Sequence, residues 1–413
     1  MKQCSIVIGS MWGDEGKGHM TDILCNFPNT LNVRFNGGAQ ASHTVVTPDG
    51  KRHAFRHFGA GTFAGAKTYL SEHFIVNTVA FVFERNELRN TFGLNPCLYV
   101  NPNAIVTTLW DMYINQAVES IRGEDRHGSC GFGINETVER SKIKKYNITV
   151  LDLLSFEALT QKLLLIQNEY VPMRLQREYG LAVKDLPCKY QKLLTDSENI
   201  NMFLFYAKEF VANVQIVDNS ILTKFDNVVF EGAQGLLLDQ NNSDYFPHVT
   251  TSNTGIKNVM DILKSLNYRG KIDIYYMSRC YQTRHGAGPF KNELSKKPYA
   301  EIEDLTNVHN EFQGSLRFGY LDFDLLAFAI NKDLKNLVLP VNVYITFTCL
   351  DQTGKEVKYF EEGKLCKVGN SEFLELAWWI LSAKINKLCD IFATCGLTRE
   401  DFLELKKEKV DYA

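Results

Sequence analysis

The chain has 413 residues, of which 45% are hydrophobic and 23% are charged, a globular composition with ample length for a sizeable core. Its formal net charge of -3 excludes the basic balance of nucleic-acid-binding proteins, and no apolar run reaches transmembrane length, so neither nucleic acid nor membrane is an expected partner. Ten scattered cysteines without a Cys-x-x-Cys pair predict reduced thiols in a cytoplasmic protein, not a disulfide framework or a zinc site.

The beginning of the chain predicts a phosphate-binding turn. An apolar run at residues 5–8 predicts a strand ending at Gly9, and a helix is expected from about Lys17 to Cys25. A glycine-rich turn joins the two, which is how α/β proteins hold phosphates against a helix N-terminus.

The composition of this turn predicts which groups meet the phosphates. The predicted phosphate ligands are Gly13, Glu15, Gly16, Lys17 and Gly18. Asp14 is unusual in an anion-binding turn, so its carboxylate is expected to bind Mg²⁺ or to act as a base. Met11 replaces a P-loop glycine and no Ser or Thr follows the lysine, which disfavours a GTPase switch. A tight turn without a ligand is the alternative interpretation.

The remaining elements predict one α/β domain over residues 1–413. Further strands are expected at residues 32–35, 227–230, 271–276 and 341–348, and an amphipathic helix at 373–390. Residues 110–215 are rich in helix formers and predict a mainly helical insertion. The expected architecture is a large, mostly parallel central sheet with flanking helices, and ligands are expected at the carboxyl ends of its strands.

Residues 12–18, WGDEGKG, resemble the N-terminal signature of the adenylosuccinate synthetase family. That resemblance implies a P-loop-like fold and an Mg²⁺-dependent ligase that joins L-aspartate to IMP with hydrolysis of GTP. Further motifs extend this resemblance over almost the whole chain.

Residues 37–44, GGAQASHT, are similar to a second family motif. It implies that His43 stabilises the phosphoryl group on the purine O6, that Gln40 binds the purine nucleotide and Thr44 the phosphates. It also implies Mg²⁺ ligation by Asp14 and the carbonyl of Ser42, which replaces a glycine.

Three further motifs resemble the purine-monophosphate site. FEGAQGLLLD at 230–239 implies a catalytic and binding role for Gln234, and VTTSNT at 249–254 implies phosphate binding by Thr250. GSCGFGI at 128–134 implies binding by Ser129, Cys130 and the following Arg140, an arginine that crosses a homodimer interface in the family.

Two segments resemble the remaining substrate sites with departures. Residues 310–322 resemble the aspartate-binding loop but keep one arginine, so the implied ligands are Gly314, Ser315 and Arg317. The donor-base segments, FTCLD at 347–351 and TCG at 394–396, imply contacts from Cys349, Asp351, Thr394 and Gly396. Cys349 replaces a lysine, which makes ATP or dATP an alternative donor to GTP. TRHGAGPF at 283–290 matches the family except at His285, where valine is usual.

The expected mechanism has two steps. Asp14 removes the purine N1 proton while O6 attacks the γ-phosphate beside His43, and aspartate held by Arg317 then displaces the phosphoryl group. Retention of Asp14 places IMP slightly ahead as the acceptor. The alternative is dGMP or GMP, used by a viral branch of the family, and a second alternative is a nucleotide sensor without ligase activity.

Overall fold

A ten-stranded sheet forms the centre of the computed structural model, which describes residues 1–123, 129, 131–304 and 314–404. In chain order the strands are β1 (Gln3–Gly9), β2 (Thr30–Arg34), β3 (His43–Val46), β4 (Arg52–Phe55), β5 (Lys67–Leu70), β6 (Leu98–Val100), β7 (Gln215–Ile216), β8 (Asn227–Gly235), β9 (Lys271–Arg279), β10 (Tyr281–Arg284), β11 (Glu293–Leu294), β12 (Arg317–Asp322), β13 (Asn342–Thr348), β14 (Glu356–Glu361), β15 (Lys364–Gly369), β16 (Leu388–Thr394) and β17 (Phe402–Glu404). The order across the sheet is β17-β16-β13-β9-β1-β8-β2-β5-β6-β7, and every neighbouring pair is parallel except β16 with β17.

Strand β1 lies at the middle of this sheet because its apolar residues are buried on both faces. It pairs with β8 on one side and β9 on the other, so that Ile6 lies opposite Phe230 and Ile274. A continuous apolar run, without alternation, is what a parallel strand covered on both faces requires. The predicted α/β class with a large, mostly parallel sheet is confirmed.

Helices cover the sheet and fill the predicted insertion. They are α1 (Lys17–Cys25), α2 (Thr78–Phe92), α3 (Leu109–Arg122), α4 (Ile134–Ser141), α5 (Phe156–Leu165), α6 (Val171–Arg174), α7 (Cys188–Thr195), α8 (Glu198–Ala212), α9 (Lys257–Ser265), α10 (Phe323–Leu334) and α11 (Phe373–Lys384). Helices α3 to α8 lie between β6 and β7, and all of them except α4 share a hydrophobic cluster with α2, β5 and β6. The described residues between Leu109 and Ala212 are therefore mainly helical.

The helix predicted at residues 373–390 is too long. Helix α11 ends at Lys384, and residues from Leu388 onward form β16 instead. Ile391 and Ala393 are buried in that strand and pair with β13, so sheet pairing at the edge overrides the helical pattern.

A second, smaller sheet lies beside the carboxyl ends of the central strands. It has the order β10-β12-β14-β15, with β11 paired to β12, and β3 with β4 forms a separate hairpin. Because β10 begins two residues after β9 ends, the second sheet faces the edge at which β1, β8, β9 and β13 terminate. Ligand-binding groups of parallel α/β sheets gather at this edge.

Candidate active site

The turn between β1 and α1 places uncapped backbone N–H groups at the carboxyl edge of the sheet. Gly13, Asp14 and Gly16 all have positive φ, of 91°, 57° and 80°, and no side chain caps the helix start. The first N–H groups of a helix have no intrahelical acceptor, so they are suited to hold an anion.

Packing explains the glycines at 16 and 18. A Cβ on Gly16 would lie 2.7 Å from the Thr348 methyl group, and one on Gly18 would lie 2.8 Å from the His43 Cβ. The Ser or Thr of a standard P-loop therefore does not fit at position 18, because β3 packs directly against the start of α1.

Glu15 and Lys17 form a buried pair beneath this turn. The backbone N–H of Met11 donates to Glu15 Oε1 at 2.6 Å, and both side chains are 3% exposed. Burial raises the pKa of Glu15 to about 8 although Lys17 opposes the shift, and burial lowers the pKa of Lys17 although Glu15 opposes it. The predicted phosphate contact of Glu15 is corrected in one respect: its carboxylate points into the protein, which leaves only its backbone for a phosphate.

His43 and Glu231 form the second feature of the site. Nδ1 of His43 hydrogen-bonds Oε1 of Glu231, whose Oε2 accepts from the Ala60 N–H at 3.0 Å. Burial lowers the pKa of His43, partly offset by the Glu231 carboxylate. Burial also acts to raise the pKa of Glu231, but Arg34 and His43 outweigh it and the pKa is lowered. Glu231 therefore stays ionised and fixes the orientation of His43 through Nδ1. The second ring nitrogen, Nε2, is left for a ligand.

The register between β2 and β8 places the guanidinium of Arg34 beside the His43–Glu231 pair. Arg34 ends β2 directly opposite Glu231 on β8, and its guanidinium is fully buried. It donates to the carbonyl oxygens of Arg56 and Ala41, both at 2.9 Å. Sequence reasoning missed Arg34 and Glu231; the acid following the apolar residues 228–230 was the available signal.

Asn36 joins the loop that carries Gln40 to the end of β8, which carries Gln234. Asn36 accepts from the Ala233 N–H at 2.7 Å and donates to the carbonyls of Ala233 and Asn253, which ties three loops. Within the described ranges, both amide atoms of Gln40 and the Oε1 of Gln234 are buried without a hydrogen-bond partner. Buried polar atoms are nearly always satisfied, so these amides are suited to a polar ligand.

Two predicted phosphate contacts lie near these loops. Thr44 follows His43 on β3, and its hydroxyl is buried without a partner in the described part of the chain. Thr250 is half-buried, and its N–H donates to the Leu238 carbonyl at 2.8 Å beyond the end of β8.

The nucleotide contact predicted for Arg140 is not supported by the surroundings of its side chain. Its guanidinium is fully buried, and it binds both carboxylate oxygens of Asp111 and the carbonyls of Tyr146 and Val106. These bonds engage all three guanidinium nitrogens, so Arg140 ties together residues 106, 111 and 146. Ser129 exchanges hydrogen bonds with Asn115, and Cys130 lies outside the described residues.

The predicted aspartate site is built around Arg317 on β12. Its guanidinium pairs with both carboxylate oxygens of Glu293 and donates to the carbonyls of Gly286 and Gly288 at 3.1 and 2.9 Å. The Glu293 carboxylate thus occupies the side of the guanidinium that a substrate carboxylate would use. Of the other two predicted ligands, Ser315 is exposed and Gly314 is half-buried.

The predicted donor-base residues lie at the ends of the adjacent strands β13 and β16. Cys349 has a φ of 61°, and burial raises the pKa of its thiol. Asp351 is exposed just beyond it. On β16, Thr394 is buried with no partner for its hydroxyl among the described residues, and a Cβ on Gly396 would lie 2.5 Å from Asp401. The structure therefore brings all four residues to one end of the sheet.

Arg279 and His285 complete the surroundings of Asp14, and neither was predicted as a site residue. Arg279, at the end of β9, donates from Nε to the Asp14 carbonyl and from Nη2 to Asp304 at 2.9 Å. His285 Nε2 lies 3.8 Å from Asp14 Oδ2. Asp14 is thus held through its backbone, while its carboxylate remains 36% exposed.

The residues fit an Mg²⁺ ion that is bound together with a nucleotide. Within the described residues, no three His, Cys, Asp or Glu side chains cluster as a preformed metal site. Mg²⁺ is commonly held by one or two carboxylates with substrate phosphates and waters. The accessible carboxylate of Asp14 meets that requirement beside the N–H groups of the turn, and half-buried Ser42 lies next to His43.

This fold and edge define an α/β phosphate-binding protein. The family model of adenylosuccinate synthetase matches residues 6–342. The adenylosuccinate synthetase of Thermoplasma volcanium is 28% identical over 338 residues, 80% of this chain and 72% of that protein. That of Microcystis aeruginosa is 31% identical over 306 residues, 73% of this chain and 64% of that protein. The chain belongs to the adenylosuccinate synthetase family, a family of ligases that form a carbon–nitrogen bond.

Two solved structures share the fold. Fully ligated adenylosuccinate synthetase from Plasmodium falciparum has a TM-score of 0.72 at 18% identity, covering 98% of this chain and 100% of that one. Succinoaminodeoxyadenylate synthetase of cyanophage S-2L, bound to dGMP and to dATP as an energy donor, has a TM-score of 0.56 at 14% identity, covering 98% and 95%. In the portion of the chain that the structure describes, no helix has the length and apolar character needed to cross a membrane.

Proposed function

We propose that this protein ligates L-aspartate to C6 of IMP, with GTP as the phosphate donor and Mg²⁺ as the metal ion. The observation that carries the proposal is the position of Asp14: its carboxylate is accessible at the phosphate turn. The helix that follows this turn packs at Gly18 against His43, which is paired with Glu231. A base and an oriented imidazole beside an anion site are what activation of a purine oxygen needs.

The residues around the turn have distinct roles in this proposal. Asp14 takes the proton from purine N1, so that negative charge develops on O6. Nε2 of His43 faces the phosphoryl group that O6 receives, and Glu231 stabilises the imidazole in its charged form. Gln40 and Gln234 supply the amides that hold the purine nucleotide. Arg317 holds a carboxylate of L-aspartate, which takes the place of the Glu293 carboxylate.

Asp14 and the Ser42 carbonyl are the groups that would hold Mg²⁺. When bound there, the ion supplies positive charge to the donor phosphates. Lys17 and the uncapped N–H groups at the start of α1 supply charge of the same sign from the protein.

A direct assay tests the proposal. Purified protein is incubated with Mg²⁺, L-aspartate, GTP or ATP, and each of IMP, GMP and dGMP, and the succinylated nucleotide is measured by mass spectrometry together with released phosphate. We expect product with IMP and GTP, lost in Asp14→Asn. If product forms with dGMP alone, IMP is refuted as the acceptor. If the protein binds nucleotides but forms no product, it is a sensor.

One observation favours a second candidate, ligation to dGMP or GMP with ATP or dATP as donor. The donor-base segment has the buried thiol of Cys349 where the family resemblance implies a lysine. The cyanophage enzyme that shares the fold binds dGMP and dATP. The same assay separates the candidates, because each predicts a different best pair of nucleotides.

We also propose a cytoplasmic homodimer, supported by the family membership alone. The internal bonding of Arg140 removes the arginine expected to cross the interface. Sedimentation velocity measures the state directly, and a single monomeric species across the working concentration range would refute the dimer.

A further inference from the structure

His285 lies close to Asp14, and the residue after it contacts Arg317. Its Nε2 is 3.8 Å from Asp14 Oδ2, on the purine side. The next residue, Gly286, offers its carbonyl to Arg317 at 3.1 Å, on the amino-acid side. His285 therefore lies close to the proposed base, and its neighbour in the chain contacts the proposed carboxylate ligand.

The two nitrogens of His285 have different surroundings. Nε2 is the nitrogen nearer the Asp14 carboxylate, at 3.8 Å. In a neutral imidazole that carries its proton on Nε2, Nδ1 is a hydrogen-bond acceptor. Nδ1 is buried, and no described residue hydrogen-bonds to it. It is therefore suited to a ligand that presents an N–H group.

The chemistry of ligation places such a group here. The amine of L-aspartate must approach C6, the atom adjacent to N1, and Asp14 acts at N1. A carboxylate of the same molecule is held by Arg317, which is anchored to the carbonyls of Gly286 and Gly288. The amine must then come close to Asp14, and His285 Nε2 is 3.8 Å from the carboxylate of that residue.

We propose that His285 is a further substrate-binding residue of this enzyme and that its Nδ1 accepts a hydrogen bond from the amino group of L-aspartate. This inference rests on the proposed ligase function and deepens it. It assigns a role to the position at which the family resemblance implies valine, a side chain that cannot make this bond.

Two variants test the role, His285→Val and His285→Asn. Valine removes the acceptor, whereas the amide oxygen of asparagine can restore it. We expect His285→Val to raise the KM for L-aspartate about 10-fold or more, the size expected for losing a hydrogen bond to a charged group. His285→Asn should recover part of that loss, and the dissociation constant for the purine monophosphate should change less than about twofold.

A second readout isolates the first step. Exchange of labelled oxygen between the bridging and non-bridging positions of the donor phosphates, measured without L-aspartate, reports transfer to O6 alone. We expect His285→Val to exchange at the wild-type rate. The inference is overturned if the KM for the purine changes while that for aspartate does not, or if exchange falls in parallel with ligation. Wild-type enzyme without exchange or ligation would instead overturn the proposed function on which the inference rests.

Discussion

Glu231→Gln tests whether His43 depends on a charged partner. The substitution keeps the size of the side chain and its acceptor for the Ala60 N–H, but it removes the carboxylate that bonds Nδ1 of His43. A hydrogen bond to a charged group contributes about 1.5–3 kcal/mol. Since about 1.4 kcal/mol corresponds to a tenfold change in rate, kcat should fall by about 10- to 150-fold. The loss should appear in kcat because the imidazole gains its charge as the phosphoryl group is transferred.

The assay is steady-state ligation with saturating nucleotides and aspartate, corrected for the folded fraction by circular dichroism. Glu84→Gln is a matched control. Glu84 is also buried and accepts from the N–H groups of Arg56 and His57 beside two histidine rings. Among the described residues, none of its hydrogen-bond or ion-pair partners belongs to the phosphate turn. Glu84→Gln should lower stability and leave kcat per folded molecule unchanged. If Glu231→Gln keeps kcat within about twofold while His43→Asn abolishes it, the proposed orientation by Glu231 is refuted.

Four further predictions concern single side chains. Asp14→Asn should lower turnover by about 10²- to 10⁴-fold and keep the calorimetric dissociation constant for the purine nucleotide within a few-fold; lost binding would contradict its role as a base. Asp351→Asn should weaken GTP binding by about 10-fold without affecting ATP, because the carboxylate accepts from the guanine N–H groups, and an equal effect on both in competition titrations would argue against this contact. Arg140→Met should lower the free energy of unfolding in urea by about 3–5 kcal/mol, because it leaves a buried carboxylate unpaired, with no rise in the KM for the purine nucleotide; a raised KM at unchanged stability would return Arg140 to the nucleotide site. Burial raises the pKa of Asp333 from 3.8 to about 6 although Tyr276 opposes the shift by donating to it. The protonated form therefore contributes stability that is complete below pH 3.8 and lost as the pH rises through about 6. Between pH 4 and 7, the stability difference in urea should move in favour of Asp333→Asn by about 2 kcal/mol, and a constant difference would contradict the raised pKa.

The sequence predicts those elements of the fold that depend on neighbouring residues in the chain. The apolar run before Gly9 and the glycines of the following turn predict β1, the turn and α1, and the structure has all three. The end of α11 was not predictable in this way, because residues 385–390 continue the helical pattern while pairing with β13 determines their conformation.

The candidate site shows the same limit. Arg140 and Arg317 look alike in sequence as arginines near glycine-rich motifs. Only the fold shows that Asp111, 29 residues away, binds Arg140 in the core. The role of Glu231 likewise depends on the register that sets it opposite Arg34. Pairings between distant residues carry no local signal.

The central position of β1 has a consequence for the order in which the protein is made. Residues 3–9 leave the ribosome long before the two strands that flank them, which are residues 227–235 and 271–279. At about 5–20 residues per second, the neighbour β8 follows only after some 220 residues, roughly 10–45 s later. A nascent chain arrested before β8 would therefore carry the complete phosphate-binding signature without the sheet edge that gives it a shape. We expect nucleotide affinity to appear abruptly in a series of chains of increasing length, once β9 and Arg279 have been added.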